Sequence, residues 1–360
     1  MRKLASIKQI SAIHPIEGKD RIGLAIVDGW QVIVQKADYS PGDLCVFCEI
    51  DSVLPEKPEF EFLRSKGFRI RTMKMAGVIS QGICFPLSIL PPKKHGEYSL
   101  EEDVTDVIGV TQYAPTQDKE PEVPQKKTKW PKWLMRFKWF RSLVLPKKRK
   151  GGFPSFVSKT DETRIQNIPH VVEDKRPWVA TEKIDGQSGT FAMVRHRRPW
   201  PFKDRYEYIV CSRNLRLGKP DNSSYWQVSN RYHIENVLYN MLSNSDRDWI
   251  AIQGECVAPN VQGNKYKVDK PDLYVFNLIY PTGRLDSPTA ASIIQNYGMK
   301  FVPILDTCYV LPDTVNEVLD YAHGQSAIGD TIREGIVFRS QDGKQSFKAV
   351  DPLFLLKYNE

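Results

Sequence analysis

Between Thr111 and Gly152 the pattern of apolar and polar residues that organises the rest of the chain dissolves into proline, lysine and glutamine. Connections inside a packed domain are short, with a median of about 4–6 residues, so a break of this length is expected to separate two bodies, each with its own core. Length agrees, because 360 residues exceed the roughly 150 of one ordinary domain. The same stretch carries the charge imbalance. Lys126 to Lys150 hold eleven basic residues, no acidic ones and five aromatics, which leaves the remainder at −3 within an overall +8. An anionic partner is expected, and this segment is where the charge to meet it sits.

Three readings fit that segment. In KWPKWLMRFKWFRSLVLP, Trp133, Phe137, Phe140 and Val144 fall at helical spacing with Arg136, Lys138 and Arg141 interleaved. This suits an amphipathic helix packed on a neighbouring domain. It equally suits a nucleic-acid contact, with Lys132 and Arg136 on phosphates and aromatics stacked on bases, or attachment to an anionic membrane surface. Nothing approaches 18 consecutive apolar residues, and the N-terminus MRKLASIKQI lacks the apolar core of a secretory signal, so an intracellular chain with no membrane span is expected. Cys45 and Cys48 form a single CxxC with no second pair and no histidine at finger spacing. The six cysteines therefore read as buried, reduced thiols rather than zinc ligands.

Residues 1–110 read as short strands. RIGLAIVDGWQVIVQK is two β-rich runs around Asp28-Gly29, a pair that favours a type I′ hairpin turn, and Pro41-Gly42, Gly77 and Gly82 punctuate the strands that follow. About five short strands in this span suit a small β-barrel, either OB-like or SH3-like. Residues 111–152 are the basic and aromatic linker or helix, and 153–360 alternate strands with helices. In the latter block Ile234, Val237, Leu238, Met241 and Leu242 form one apolar helical face. Ser287-Pro288 looks like a helix cap followed by a first-turn proline, and Thr314 with Glu317 fits a capping box. The expected class is α+β: a small barrel, then a domain of antiparallel sheets and helices.

Within that domain Thr181-Glu182-Lys183-Ile184-Asp185-Gly186 closes a strand with a lysine, a carboxylate two residues on, and a glycine for the turn. Downstream come Arg213-Asn214 in CSRNLRL, Glu255 in IQGECV, Phe276 in YVFNLIY, Glu334-Gly335 in REGIVFR and Lys348 in SFKAV. A K-x-D-G alone is weak, but six such segments in this order resemble motifs I, Ia, III, IIIa, IV and V of the covalent nucleotidyltransferases: DNA ligases, RNA ligases and mRNA capping enzymes. Only 12 residues follow Lys348, and the barrel-like block precedes the motifs. FPSFVSKTDETRIQN and SFKAVDPLFLLKY look like RNA ligases. The whole arrangement resembles the ATP-dependent RNA ligases of the Deinococcus and Naegleria type, with an OB-like domain before a nucleotidyltransferase domain.

The resemblance implies an ATP-dependent RNA ligase acting through lysyl-AMP and RNA-adenylate on 3′-OH/5′-phosphate breaks, with RNA or an RNA-containing nicked duplex as partner and no obligate protein partner. Lys183 becomes the nucleophile and Lys348 an α-phosphate clamp. Glu182 reads the adenine edge, Glu255 holds the ribose and Phe276 stacks on the base. Asp185 and Glu334 bind Mg²⁺ or Mn²⁺, directly or through its water shell, and Arg213 and Asn214 contact the nucleic acid. Arg164 and Lys159 are further candidates for substrate phosphates. Many ligases carry a second motif V lysine where this chain has Val350, and Lys357 is the candidate replacement. A solution lysine has a pKa of about 10.4, so Lys183 needs activation. Repulsion from Lys348 and a divalent cation is expected to lower its pKa. A DNA ligase, a guanylyltransferase or an inactive RNA-binding relative are the alternatives.

Overall fold

Glycine and proline break the first hundred residues into strands too short to stand alone, and pairing across the chain assembles them. The computed structural model describes residues 3–93, 96–113, 152–218 and 222–358. β1 (Ala5–Ile16), β2 (Lys19–Val27), β3 (Trp30–Gln35) and β4 (Leu44–Cys48) precede the short β5 (Ser52–Val53), β6 (Met73–Met75), β7 (Val78–Ser80) and β8 (Ile83–Phe85). The main sheet runs β3-β2-β1-β4-β8, all antiparallel, while β6 pairs with β7 and β9 (Thr111–Gln112) returns to β5. The start of β1 pairs with β4 and its remainder with β2. One strand thereby serves two walls, and Ile7, Ile10, Val27, Trp30, Val46 and Phe47 fill the space between.

Asp28 and Gly29 do join β2 to β3, with Asp28 at φ 51°. Gly29 lies outside the left-handed region and has another use. Its N–H donates to the Gln166 carbonyl at 2.9 Å, and a Cβ would stand 2.8 Å from Gln166 Cα. The turn residue is small because the two halves of the protein touch there.

The second half builds two sheets from β10 (Pro177–Lys183), β11 (Gln187–His196), β12 (Arg205–Cys211), β13 (Trp249–Val257), β14 (Asp272–Tyr280), β15 (Gly283–Arg284), β16 (Lys300–Phe301), β17 (Ile304–Val310), β18 (Gly335–Ser340) and β19 (Ser346–Val350). Their orders are β17-β10-β18-β19 and β12-β11-β13-β14-β15, with β16 parallel to β14. The helix Ile234–Ser243 buries Ile234, Val237, Leu238 and Leu242 against the larger sheet, with Met241 partly covered. In the helix Ser287–Asn296 the cap is Asp286 and not Ser287: its Oδ1 accepts from the Thr289 N–H at 2.8 Å, which moves Ser287 into the first turn. The Thr314–Glu317 capping box forms and opens the helix Val315–Ala322.

The C-terminal helix Pro352–Tyr358 ties the halves together. Its Phe354 and Leu355, with Val350, belong to the same apolar cluster as the N-terminal strands. Burying a phenylalanine stabilises by about 1.5–3 kcal/mol. Polar contacts fix the register of the junction: Trp30 Nε1 donates to Asn167 Oδ1 at 2.6 Å, and Asn167 Nδ2 donates to Glu49 Oε1 at 2.8 Å. All six cysteines are free thiols, but Cys84 is only partly buried and Cys308 is exposed, the latter because β17 is an edge strand. The segment 126–150, with Lys132 and Arg136, lies outside the described residues. Among those described, no helix is long and apolar enough to cross a membrane.

Candidate active site

β10 is buried through Val179, Ala180, Thr181 and Glu182, so its last residue, Lys183, leaves a fixed strand. Lys183 pairs with Gly335 at the start of β18, which sets Glu334 beside it, and Lys183 Nζ donates to Glu334 Oε2 at 2.6 Å. The chain then turns through Ile184, Asp185 and Gly186 into β11. The glycine is required less by the turn than by crowding, since a Cβ at Gly186 would lie 2.5 Å from the Cys256 carbonyl oxygen. That close approach lays the turn after Lys183 against β13, which carries Glu255.

Phe276 reaches the site through an irregularity. Gln253 pairs with Asn277 and Gly254 with Val275, so Phe276 is the extra residue of a bulge in β14. Bulges re-aim side chains, and Phe276 lines the same cavity as Lys183, Glu182, Asp185, Glu255 and Glu334. That cavity measures about 510 Å³. Lys348, on β19 opposite Val337, closes another wall and donates to Asp161 Oδ1 at 2.8 Å. Val350 is 1% exposed in the N-terminal apolar cluster. Val350 also lines the cavity, so the second motif V position is at the site but carries no charge to it.

Charge is distributed differently from the expectation. The Lys183 pKa is raised: burial alone would lower it, but Glu334, Glu255 and Asp185 around the ammonium outweigh that. The depressed lysine is Lys348, brought down to about 8 by burial, with Arg164 and Lys183 adding repulsion against the pull of Asp161. The carboxylates around Lys183 thus outweigh burial there, whereas at Lys348 burial prevails. Burial pushes Glu255 up to about 8; Lys183 opposes this, and Glu334 and Asp185 reinforce it. Carboxylates that crowd one another in this way leave negative charge for a cation to offset. Among the described residues no three histidine, cysteine, aspartate or glutamate side chains converge as a ready metal cluster. Oxygen donors spread around a cavity fit a hydrated Mg²⁺ or Mn²⁺ that keeps several of its waters.

Several partners were invisible in the linear sequence. The Glu182 carboxylate, 1% exposed, accepts from Ser326 Oγ at 2.5 Å and from the Ala327 N–H at 2.8 Å. Lys265 Nζ donates to Asp185 Oδ2 at 2.5 Å, while the Asp185 N–H donates to the Tyr266 hydroxyl at 2.8 Å. The N-terminal half supplies Asp51, Arg69, Arg71 and Tyr113 to the cavity. Asp51 accepts from Arg69 Nη2 at 3.0 Å and from Arg164 Nη2 at 3.1 Å. No spacing rule joins such residues; only the docking of the two halves does.

Of the other candidates, Arg213 and Arg164 line the cavity, and Arg213 Nη2 lies 3.4 Å from Asp161 Oδ1. Asn214 and Lys159 are exposed beside it and bonded to each other, with Lys159 Nζ donating to Asn214 Oδ1 at 3.2 Å. Lys357 is exposed on the last helix and outside the lining, which takes its neighbour Tyr358 instead.

An OB-fold domain model matches residues 4–87 and an RNA ligase model matches residues 176–358. The N-terminal barrel is thus of the OB and not the SH3-like kind. The chain is similar throughout to Naegleria gruberi RNA ligase. Against the structure of that protein with PPi, identity is 29% and the TM-score 0.79, covering 100% of this chain and 99% of the other. A mutant of it with ATP and Mn gives 29% and 0.80, and another with AMP and Mn gives 29% and 0.79, each covering 99% of both chains. No curated protein matches the chain.

Proposed function

The chain belongs to the RNA ligase family, and we propose that it is an ATP-dependent ligase that seals 3′-OH/5′-phosphate breaks in RNA duplexes through lysyl-AMP and RNA-adenylate. The observation that carries this reading is the convergence of six sequence-distant motifs on one cavity, whose lining includes Lys183, Arg213, Glu255, Phe276, Glu334 and Lys348. The same reading divides the chain into an OB domain at 1–110, to which β9 adds Thr111 and Gln112, a linker after it to 152 and a ligase domain at 153–360.

Chemically, Lys183 Nζ attacks the α-phosphorus of ATP as the bond to pyrophosphate breaks. Phosphoryl transfer asks the protein mainly for positioning and charge. Phe276 offers a face for the base, Glu182 and Glu255 hold the nucleoside, and Lys348 and Arg164 face the phosphates. Asp185 and Glu334 would hold a hydrated divalent cation, which would supply the positive charge that favours the neutral amine of Lys183. AMP then passes to the RNA 5′-phosphate, held by Arg213 with Asn214 and Lys159 at the rim. Attack by the 3′-OH releases AMP and forms the phosphodiester.

Sealing of matched nicks tests this. Joining should require ribonucleotides at the 3′-OH side and fail on all-DNA nicks; equal sealing of DNA would make the protein a DNA ligase, and labelling by GTP in place of ATP would make it a guanylyltransferase.

A further inference from the structure

The hairpin between β11 and β12 ends in an aromatic and cationic tip outside the cavity. His196 and Arg205 form its last pair, and Arg197-Arg198-Pro199-Trp200-Pro201-Phe202-Lys203-Asp204 make the loop. The loop is shaped from within. The Phe202 N–H donates to the Pro199 carbonyl at 3.0 Å, the Arg198 N–H donates to Asp204 Oδ1 at 3.1 Å, and the Arg198 guanidinium lies 5.7 Å from the Phe202 ring centroid. Trp200 is 93% exposed and Phe202 63%. Large aromatics held out in water among cations add nothing to a core and mark a contact surface. Arg197 is engaged by Asp248 at 2.8 Å. Among the described residues Arg198, Lys203 and Arg205 have no acidic side chain as a salt-bridge partner.

We propose that this tip is a second RNA contact, where unpaired bases of a substrate arm stack on Trp200 and their phosphates meet Arg198, Lys203 and Arg205. The proposal rests on the RNA ligase reading of the cavity. A stacking platform beside a track of cations is what single-strand binding requires, and paired bases inside a duplex have no free face to offer. The ribbon links the two places: β11 starts at Gln187 and Ser188 in the cavity wall, and β12 leads back to Arg213. A ten-residue strand spans about 33 Å. The preferred substrate is therefore a break whose duplex arm gives way to unpaired RNA roughly that far from the join.

The test uses the full-length protein and two nicked RNAs that differ only in a ten-nucleotide unpaired extension on one arm. Wild-type protein should bind the extended RNA about tenfold more tightly. Trp200→Ala should erase that difference, Trp200→Phe should restore most of it, and the double variant R198Q/K203Q should flatten the salt dependence of binding to the extended RNA alone. Lysyl-AMP formation and melting temperature should stay at wild-type values in all three. Equal binding of both RNAs by wild-type protein, or an equal loss on both in Trp200→Ala, overturns the proposal. The ligase reading fails separately, if wild-type protein joins no RNA of either design.

Discussion

Lys183 and Glu334 stand 151 residues apart in sequence and 2.6 Å apart in space, Nζ to Oε2. Pairing of β10 with β18 makes the contact, and it holds Lys183 as the unreactive ammonium, because the surrounding carboxylates favour that form and raise its pKa. Glu334→Gln removes one of them. In metal-free protein the pH at which Lys183 becomes half-reactive toward an amine reagent should then fall. An unchanged midpoint would mean that Glu334 does not govern the charge of Lys183.

Lys348 titrates at about 8, so it is an ammonium below that pH and a neutral amine above it. If it clamps phosphate, the affinity for a non-hydrolysable ATP analogue should decline as pH rises through about 8. Lys348→Arg, which stays charged across this range, should flatten the decline. Parallel profiles for the two proteins would take Lys348 off the phosphates.

The motif residues were legible because their local settings are: a lysine closing a buried strand, a carboxylate opening another, an aromatic within an apolar run. The capping box at Thr314 and the apolar face from Ile234 to Leu242 were legible for the same reason, since each is contained within a few turns of helix. What the sequence hid depends on docking. Gly29 reads as a turn glycine but is small because Gln166 packs on it. Arg69, Arg71 and Asp51 join the cavity only once Phe354 and Leu355 have entered the N-terminal core. The direction of the Lys183 shift was also hidden, because it turns on carboxylates at 185, 255 and 334 surrounding one ammonium, and spacing does not give distance.

Glu255 offers a test through stability. Its pKa of about 8 in the folded protein lies well above the roughly 4.3 of an unfolded chain. Between those values the unfolded chain gives up its proton first, so this group makes the fold progressively less stable as pH rises from about 4.3 to about 8. In metal-free protein Glu255→Gln should therefore melt well above wild type at pH 8.5 and by a much smaller margin at pH 5, while losing nucleotide affinity. Melting curves offset equally at both values would show that Glu255 ionises normally.

Phe354 tests the junction. Its side chain is fully buried in the N-terminal cluster, although it sits six residues after Lys348 in the chain. Phe354→Ala should cost about 3–5 kcal/mol, seen as a lower urea midpoint with unchanged slope, and should weaken ATP binding as β19 loses its anchor. A loss of stability with full ATP affinity would mean that the cavity does not depend on the docked barrel.

The central claim is that Lys183 becomes covalently adenylylated. Purified protein incubated with ATP and Mg²⁺ or Mn²⁺ should gain the mass of one adenylyl group, located to Lys183 by peptide mapping, and Lys183→Met should gain nothing. An adduct that persists in Lys183→Met, or no adduct in the wild-type protein with nucleotide and metal both present, would contradict the account.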